Sequence, residues 1–175
     1  NGIYCVPLEY SGEIRNLYVN GYSAVRARSE VLYEMREYYN SPETEGERDG
    51  FVIYPFMFPE NLSEPESLEL VFKTWWVSHR VPVDDIIYND AEIIFKTDFV
   101  FYEDVQATLA LKEGKKFYAE NALEFLDNPG EFYYSKADKM LYYYPKAGEI
   151  IKECDIYIPK TEFLIDIKGT ETEPV

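Results

Sequence analysis

Hydrophobic and polar positions form their clearest pattern in the segment 117–145. Apolar residues at 122, 123, 125 and 126 predict a short helical turn, which Asn128-Pro129-Gly130 ends because proline cannot continue a helix. Two aromatic runs, 131–135 and 140–144, flank a polar stretch at 136–139. This order predicts a β-hairpin with a short polar loop. Since both faces of the hairpin carry aromatic side chains, we expect it to be covered on both sides.

Strand-like patterns also cover much of the remaining chain, at 3–10, 14–19, 51–55, 68–83, 92–102 and 162–168. Asn20-Gly21 predicts a tight hairpin with 22–28 as its return strand, because both residues accept the positive φ of a type I′ turn. We interpret 68–83 as one long strand. Together these patterns predict an all-β fold, an antiparallel β-barrel or β-sandwich of about ten short strands with one short helix near 119–126.

Two blocks of sequence carry a resemblance to a known family. The first runs from Arg15 to Gly21 and continues with Ala27-Arg28; the second comprises 121–122, 126–127, 129–131, 141–145 and 159–169. They resemble the insertion domain of glycoside hydrolase family 141 and related bacterial carbohydrate-active proteins built on right-handed parallel β-helices. Phe132 stands where the family usually has tryptophan.

The resemblance implies that 1–175 is a single accessory domain excised from a larger protein, with 169–175 as a flexible tail. Such a domain would pack on the catalytic β-helix of its parent, and would be secreted or displayed on a bacterial cell surface. The two ends of an insertion rejoin one scaffold, so we expect residues 4–6 and 164–167 to lie near each other.

Composition narrows the range of partners and cofactors. The net charge of −16 and the pI of about 4.4 oppose binding to nucleic acid or to anionic membranes. No run of apolar residues approaches the roughly 20 that a membrane helix needs.

Cys5 and Cys154 are the only cysteines in the sequence. We expect two free, buried thiols, with a disulfide as the alternative. No motif indicates a cofactor or a metal site.

Catalysis by the isolated chain is not expected. A glycosidase needs two facing carboxyl groups, and the adjacent acids are Asp84-Asp85, Asp98 and Glu103-Asp104. Neighbours on a strand point to opposite faces, so Asp84 and Asp85 cooperate only if a turn redirects them. His79 is the only histidine and has no nucleophile in register with it. An autonomous glycosidase or polysaccharide lyase using an acidic pair stays the alternative.

Carbohydrate binding is the chemistry that the long strand suggests. Alternation places Trp76 with the core residues and Trp75 on a mixed face with Glu69, Lys73 and His79. An indole can stack on a sugar ring of a plant cell-wall polysaccharide while these polar groups bond hydroxyls. The alternative is that Trp75 seals the domain against its parent. Arg26 and Arg28 are expected to pair with nearby acids, although a uronate would also suit them.

Overall fold

The computed structural model of the chain describes residues 2–39, 50–74, 77–97 and 113–161, together with 165, 167 and 169. The described strands are β1 (Tyr4–Pro7), β2 (Tyr18–Val19), β3 (Tyr22–Ser23), β4 (Val25–Arg26), β5 (Tyr33–Glu34), β6 (Glu37–Tyr39), β7 (Gly50–Ile53), β8 (Glu69–Lys73), β9 (Ser78–Pro82), β10 (Asp85–Tyr88), β11 (Ile93–Lys96), β12 (Lys116–Glu120), β13 (Glu131–Ser135), β14 (Met140–Tyr143) and β15 (Ile156–Tyr157). Short 3-10 turns lie at Pro65–Ser67, Leu123–Phe125 and Ile151–Glu153.

These strands form four small sheets. Sheet 1 has the order β1-β14-β13-β4, sheet 2 β10-β11-β7-β6, sheet 3 β5-β12-β8-β9 and sheet 4 β15-β2-β3. Every described pairing within the sheets is antiparallel except that of β4 with β13. The prediction of an all-β, sandwich-like fold is confirmed.

The main core lies between sheets 2 and 3, because alternate residues of their strands point toward each other. Four phenylalanine rings occupy its centre, at 51, 72, 95 and 117, with neighbouring ring centroids 4.8–6.2 Å apart. Such offset and edge-to-face contacts add to the stabilisation from burial. Tyr133 of β13 also packs in this core.

A second, smaller core lies on the opposite side of β13. Phe132 and Tyr134 pack there against Leu17 and Val19, with Leu141 and Tyr143 from β14. All five residues of β13 are buried, since its two faces contribute to two cores. The hairpin of β13 and β14 is therefore confirmed, and so is its coverage on both sides.

Local turn signals were also reliable in the first part of the chain. Asn20 and Gly21 have φ values of 52° and 80°, and they join β2 to its antiparallel neighbour β3. The return strand is shorter than predicted, because β3 ends at Ser23 and Val25–Arg26 pairs with β13 in sheet 1. The helix predicted near 119–126 is only the 3-10 turn Leu123–Phe125, since 119–120 belong to β12.

The interpretation of 68–83 as one long strand is wrong. The chain reverses after β8, and β9 returns antiparallel with Lys73 opposite Ser78. Thr74 closes the reversal, because its backbone N–H and its hydroxyl both donate to the Val77 carbonyl, at 2.9 and 3.0 Å. Trp75 and Trp76 lie outside the described residues. No glycine, proline or asparagine marks this turn, so the apolar alternation alone favoured a continuous strand.

Two further expectations concern the ends of the chain and the two cysteines. Of residues 164–167 only Ile165 and Ile167 are described, so their expected proximity to 4–6 stays a prediction. Cys5 and Cys154 are both free. The expectation that both thiols are buried is wrong, because Cys5 is exposed on the edge strand β1 and Cys154 is half-buried.

Candidate functional site

The face of sheet 3 that points away from the main core carries charged side chains. Glu69 of β8 lies directly opposite Glu120 of β12 in the register. Like charges placed opposite each other on adjacent strands repel, so this pair requires a cation. Arg26 supplies it from sheet 1, with Nη1 2.5 Å from Glu69 Oε2 and 3.5 Å from Glu120 Oε1. Only 6% of the Arg26 side chain is exposed.

Two further arginines and one further glutamate complete this charged cluster. Arg15 donates to both carboxylate oxygens of Glu69, at 2.9 and 2.7 Å. Glu13 bonds Arg15 and Arg26, and Arg80 of β9 donates through Nε to Glu120 at 3.0 Å. We call these six residues the ion network: Glu13, Arg15, Arg26, Glu69, Arg80 and Glu120. Three arginines and three glutamates balance, so the network is neutral as a unit.

The network shifts the pKa values of two of its members, Glu69 and Arg15. Burial alone would raise the pKa of Glu69, but hydrogen bonds from Arg15 and Arg26, together with their charges, hold it below its ordinary value. The hydrogen bond with Glu69 in turn raises the pKa of Arg15. Glu69 therefore remains ionised at neutral pH, and both its oxygens are engaged within the protein.

A groove opens beside the ion network. One part, of about 420 Å³, is lined by Arg15, Arg26, Arg28 and Arg80 together with Tyr118 and Glu120. A second part, of about 540 Å³, shares Val25, Arg28 and Tyr118 with the first and extends to Lys73, Glu30 and Asn128. The two parts adjoin at these shared residues, and we call them together the arginine groove.

Tyr118 occupies the middle of the arginine groove. The guanidinium carbon of Arg28 and the Nζ atom of Lys73 each lie 5.3 Å from its ring centroid, within the range of cation–π contacts. Burial, with the charge of Glu120, raises the pKa of the Tyr118 hydroxyl despite the neighbouring arginines. The phenol is therefore neutral and can donate a hydrogen bond at neutral pH.

The four residues proposed from sequence do not gather at one place. Lys73 lines the arginine groove, and Glu69 belongs to the ion network beside it. The assignment of His79 to their face is wrong, because His79 pairs with Phe72 and so shares the other face of sheet 3. Trp75 lies outside the described residues. The carbohydrate role of all four stays a prediction.

Sequence reasoning missed Arg15, Arg80, Tyr118 and Glu120 as members of a site. Arg80 and Glu120 are separated by 40 positions, and Arg26 and Glu120 by 94. Only the sheet register brings them together, and no local spacing signals it. The expectation that Arg26 pairs with acids is confirmed. The same expectation for Arg28 is not met among the described residues, where its guanidinium group contacts the Tyr118 ring.

Two of the acids considered for catalysis, Asp84 and Asp85, lie apart from this groove. Asp84 and Asp85 line a separate cavity of about 250 Å³ with Glu60 and Glu66. Asp98, Glu103 and Asp104 lie outside the described residues. Within the described ranges no three His, Cys, Asp or Glu side chains are grouped as metal ligands require. Nor does any helix in those ranges have the length and apolarity to cross a membrane.

Comparison with known proteins assigns the chain to a family. The family described as the GH141 insertion domain matches residues 7–146. The chain belongs to this family. Its description is that of an insertion domain of a glycoside hydrolase and not of a catalytic domain, in agreement with the expectation that the isolated chain is not itself an enzyme.

A solved structure of a "Glycoside hydrolase" supports the same fold. It superposes with a TM-score of 0.69 at 22% sequence identity, over 99% of this chain and 32% of that chain. The chain therefore spans about a third of the length of that protein. No curated protein matches.

Proposed function

We propose that this insertion domain packs on the catalytic domain of a secreted or cell-surface bacterial glycoside hydrolase, a parallel β-helix in the related proteins. The position of the ends of the family segment carries the proposal. Residue 7 ends β1 and residue 146 follows β14, and these strands are antiparallel neighbours with Tyr4 opposite Tyr143. The strands at the two ends of the family segment thus lie side by side in sheet 1, as an insertion into one scaffold requires.

The exposed residues around that edge suit a packing surface. Ile3, Tyr4 and Val6 are 47%, 52% and 52% exposed. Strand β1 is the last described strand on its side of sheet 1. An apolar edge strand without a neighbour promotes aggregation unless something covers it. A catalytic domain joined at this edge would cover it.

Substitution on β1 tests the packing. Val6→Lys should leave the thermal unfolding of the isolated chain nearly unchanged, because the side chain is exposed there. In the longer glycoside hydrolase the same change should lower the unfolding temperature, since it would bury an unpaired charge. Tyr22→Lys is the matched control, because Tyr22 is 75% exposed on sheet 4. Equal effects of Val6→Lys in both contexts would contradict packing at this edge.

We also propose that the domain binds carbohydrate of the substrate polysaccharide in the arginine groove. The groove has the size of a small-ligand site, a partly buried aromatic ring at its centre, and hydrogen-bonding groups of both kinds around it. Lys73 lies in it and Trp75 follows two residues later in the sequence.

Affinity electrophoresis in gels containing plant cell-wall polysaccharides measures this binding. The chain should be retarded by at least one polysaccharide, and Tyr118→Ala and Trp75→Ala should each reduce the retardation while the protein stays folded. Tyr54→Ala is the control, since Tyr54 is 62% exposed and stacks with Arg36 outside the groove. Unretarded migration in every gel would contradict the carbohydrate role.

A further inference from the structure

Arginine is concentrated in one place on an acidic protein. The sequence contains six arginines, and four of them line the arginine groove, although the net charge is −16. Arginine is the side chain best suited to planar, bidentate recognition of carboxylates. A cluster of this kind therefore indicates an anion, unless protein carboxylates already satisfy all four.

Two of the four are satisfied in that way. The terminal nitrogens of Arg15 and Arg26 donate hydrogen bonds to the carboxylates of Glu13, Glu69 and Glu120. Arg80 differs, because only its Nε donates to Glu120, and its terminal nitrogens have no ion pair among the described residues. Arg28 is exposed and makes no ion pair within the described part of the chain.

The charge balance also points to Arg28, together with Lys73. Since the ion network is neutral as a unit, Arg28 and Lys73 add positive charge that it does not compensate. The part of the groove that contains Arg28 and Lys73 also holds two acids, Glu30 and Glu131. Glu30 accepts a hydrogen bond from Asn128 at 2.8 Å, and Glu131 is bonded to the backbone N–H groups of Asp127 and Asn128. The groove thus offers the guanidinium groups of Arg28 and Arg80 to a carboxylate, and an acceptor at Glu30 for hydroxyl groups.

We propose that the arginine groove binds a carboxylate-bearing sugar, a hexuronate residue of an acidic polysaccharide, through Arg28 and Arg80. This proposal rests on the carbohydrate binding proposed above and names its substrate class. The guanidinium groups pair with the C6 carboxylate, Tyr118 and Val25 contact the sugar ring, and Glu30 accepts hydroxyl hydrogens. The two parts of the groove, about 420 and 540 Å³, each have the volume of a small-ligand site.

Isothermal titration with matched oligosaccharides tests the proposal. The probes are tri-galacturonic acid, a glucuronate-bearing xylo-oligosaccharide, the methyl ester of the first, and a sulfated galactose. The two free acids should bind, and the methyl ester should bind at least about tenfold more weakly because the ion pair is lost. Affinity for the acids should fall as salt is raised.

Variants separate the arginines from the fold. Arg28→Ala should weaken binding of the acids about tenfold while binding of the ester is unchanged. Arg28 is exposed and makes no ion pair among the described residues, and its cation–π contact with Tyr118 contributes little at an exposed site, so the unfolding temperature should change only slightly. Arg80→Lys keeps a positive charge beside Glu120 but loses the planar fork, and should weaken binding less than Arg28→Ala. Arg36→Ala is the control, since Arg36 pairs with Glu37 and Glu92 away from the groove.

Each outcome decides between the two proposals. Equal affinity for acid and ester, unaffected by Arg28→Ala, would overturn uronate recognition and leave carbohydrate binding intact. Stronger binding of the sulfated sugar than of either acid would overturn the choice of carboxylate. Absence of binding to every probe, with unretarded migration in the gels, would overturn both proposals. Loss of acid binding in Arg36→Ala would place the site elsewhere.

Discussion

Neutralising Glu69 is the most direct test of the ion network. Glu69→Gln keeps the size and shape of the side chain and removes its charge. In the folded protein the Glu69 carboxylate accepts hydrogen bonds from Arg15 at 2.9 and 2.7 Å and from Arg26 at 2.5 Å, and the residue is only 6% exposed. The variant therefore leaves Arg26 buried with one counter-ion fewer.

The expected loss of stability follows from the remaining partners. Removing one member of a buried ion pair destabilises proteins by about 3–5 kcal/mol. Arg26 still contacts Glu13 and, at 3.5 Å, Glu120, and the Arg15 side chain is 46% exposed to solvent. We therefore expect the low end, ~3 kcal/mol, which lowers the melting temperature of a chain of this size by roughly 6–12 °C.

Urea unfolding at two pH values measures the effect and its cause. The pKa of Glu69 is lower in the folded than in the unfolded chain, despite the opposing effect of burial. Its charge thus stabilises the fold above the unfolded pKa of about 4.3 and ceases to do so as the pH falls through the folded value. The difference between wild type and Glu69→Gln should be full at pH 7 and should close in strong acid.

A surface pair provides the control for this experiment. Glu9→Gln removes a contact to Lys139 at 3.4 Å, in which the two side chains are 85% and 60% exposed. Exposed pairs of this kind contribute about 0–1 kcal/mol. If Glu69→Gln were no more destabilising than Glu9→Gln, or if its effect were as large in acid as at pH 7, the assignment of a buried, stabilising network would be refuted.

Two other substitutions test the fold. Gly50→Ala should destabilise the fold by ~3 kcal/mol in urea unfolding, because the added Cβ would lie 1.9 Å from the Phe95 carbonyl oxygen. Gly2→Ala is the control and should be neutral, because a Cβ at Gly2 would have no atom within 4 Å. Phe117→Ala should cost ~3–5 kcal/mol, since it removes a ring from the centre of the main core, and a loss under ~1 kcal/mol would contradict that packing.

Features determined by neighbouring residues were predictable from sequence. The hairpin of β13 and β14 followed from two aromatic runs around a polar loop, and the Asn20-Gly21 turn followed from the two residues that accept positive φ. In both cases the information lies within a few positions. The hairpin 69–82 was missed for the converse reason, because a threonine closes its turn and the flanking pattern is uniformly strand-like.

Features determined by distant pairing were not predictable. Glu69 was expected on a partly wet face with Lys73, and it does share that face, but the chain segment with Arg15 and Arg26 covers it. The parallel pairing of β4 with β13, which brings Arg26 over sheet 3, joins positions more than 100 apart in the sequence. A strand pattern can assign a residue to a face, but it cannot say which distant segment covers that face.

The ion network does not include Arg28, so the positive charge of Arg28 requires a different explanation. Glu69 and Glu120 face each other across β8 and β12, and such a pair is stable only with a bridging cation. Arg26 meets that requirement, while Arg15, Arg80 and Glu13 bring the network to neutrality. Folding thus accounts for Arg15 and Arg26, and for the Nε atom of Arg80, whose terminal nitrogens make no ion pair among the described residues. Arg28 pairs with no carboxylate of the described chain, and beside Tyr118 and Lys73 its charge is available to a ligand.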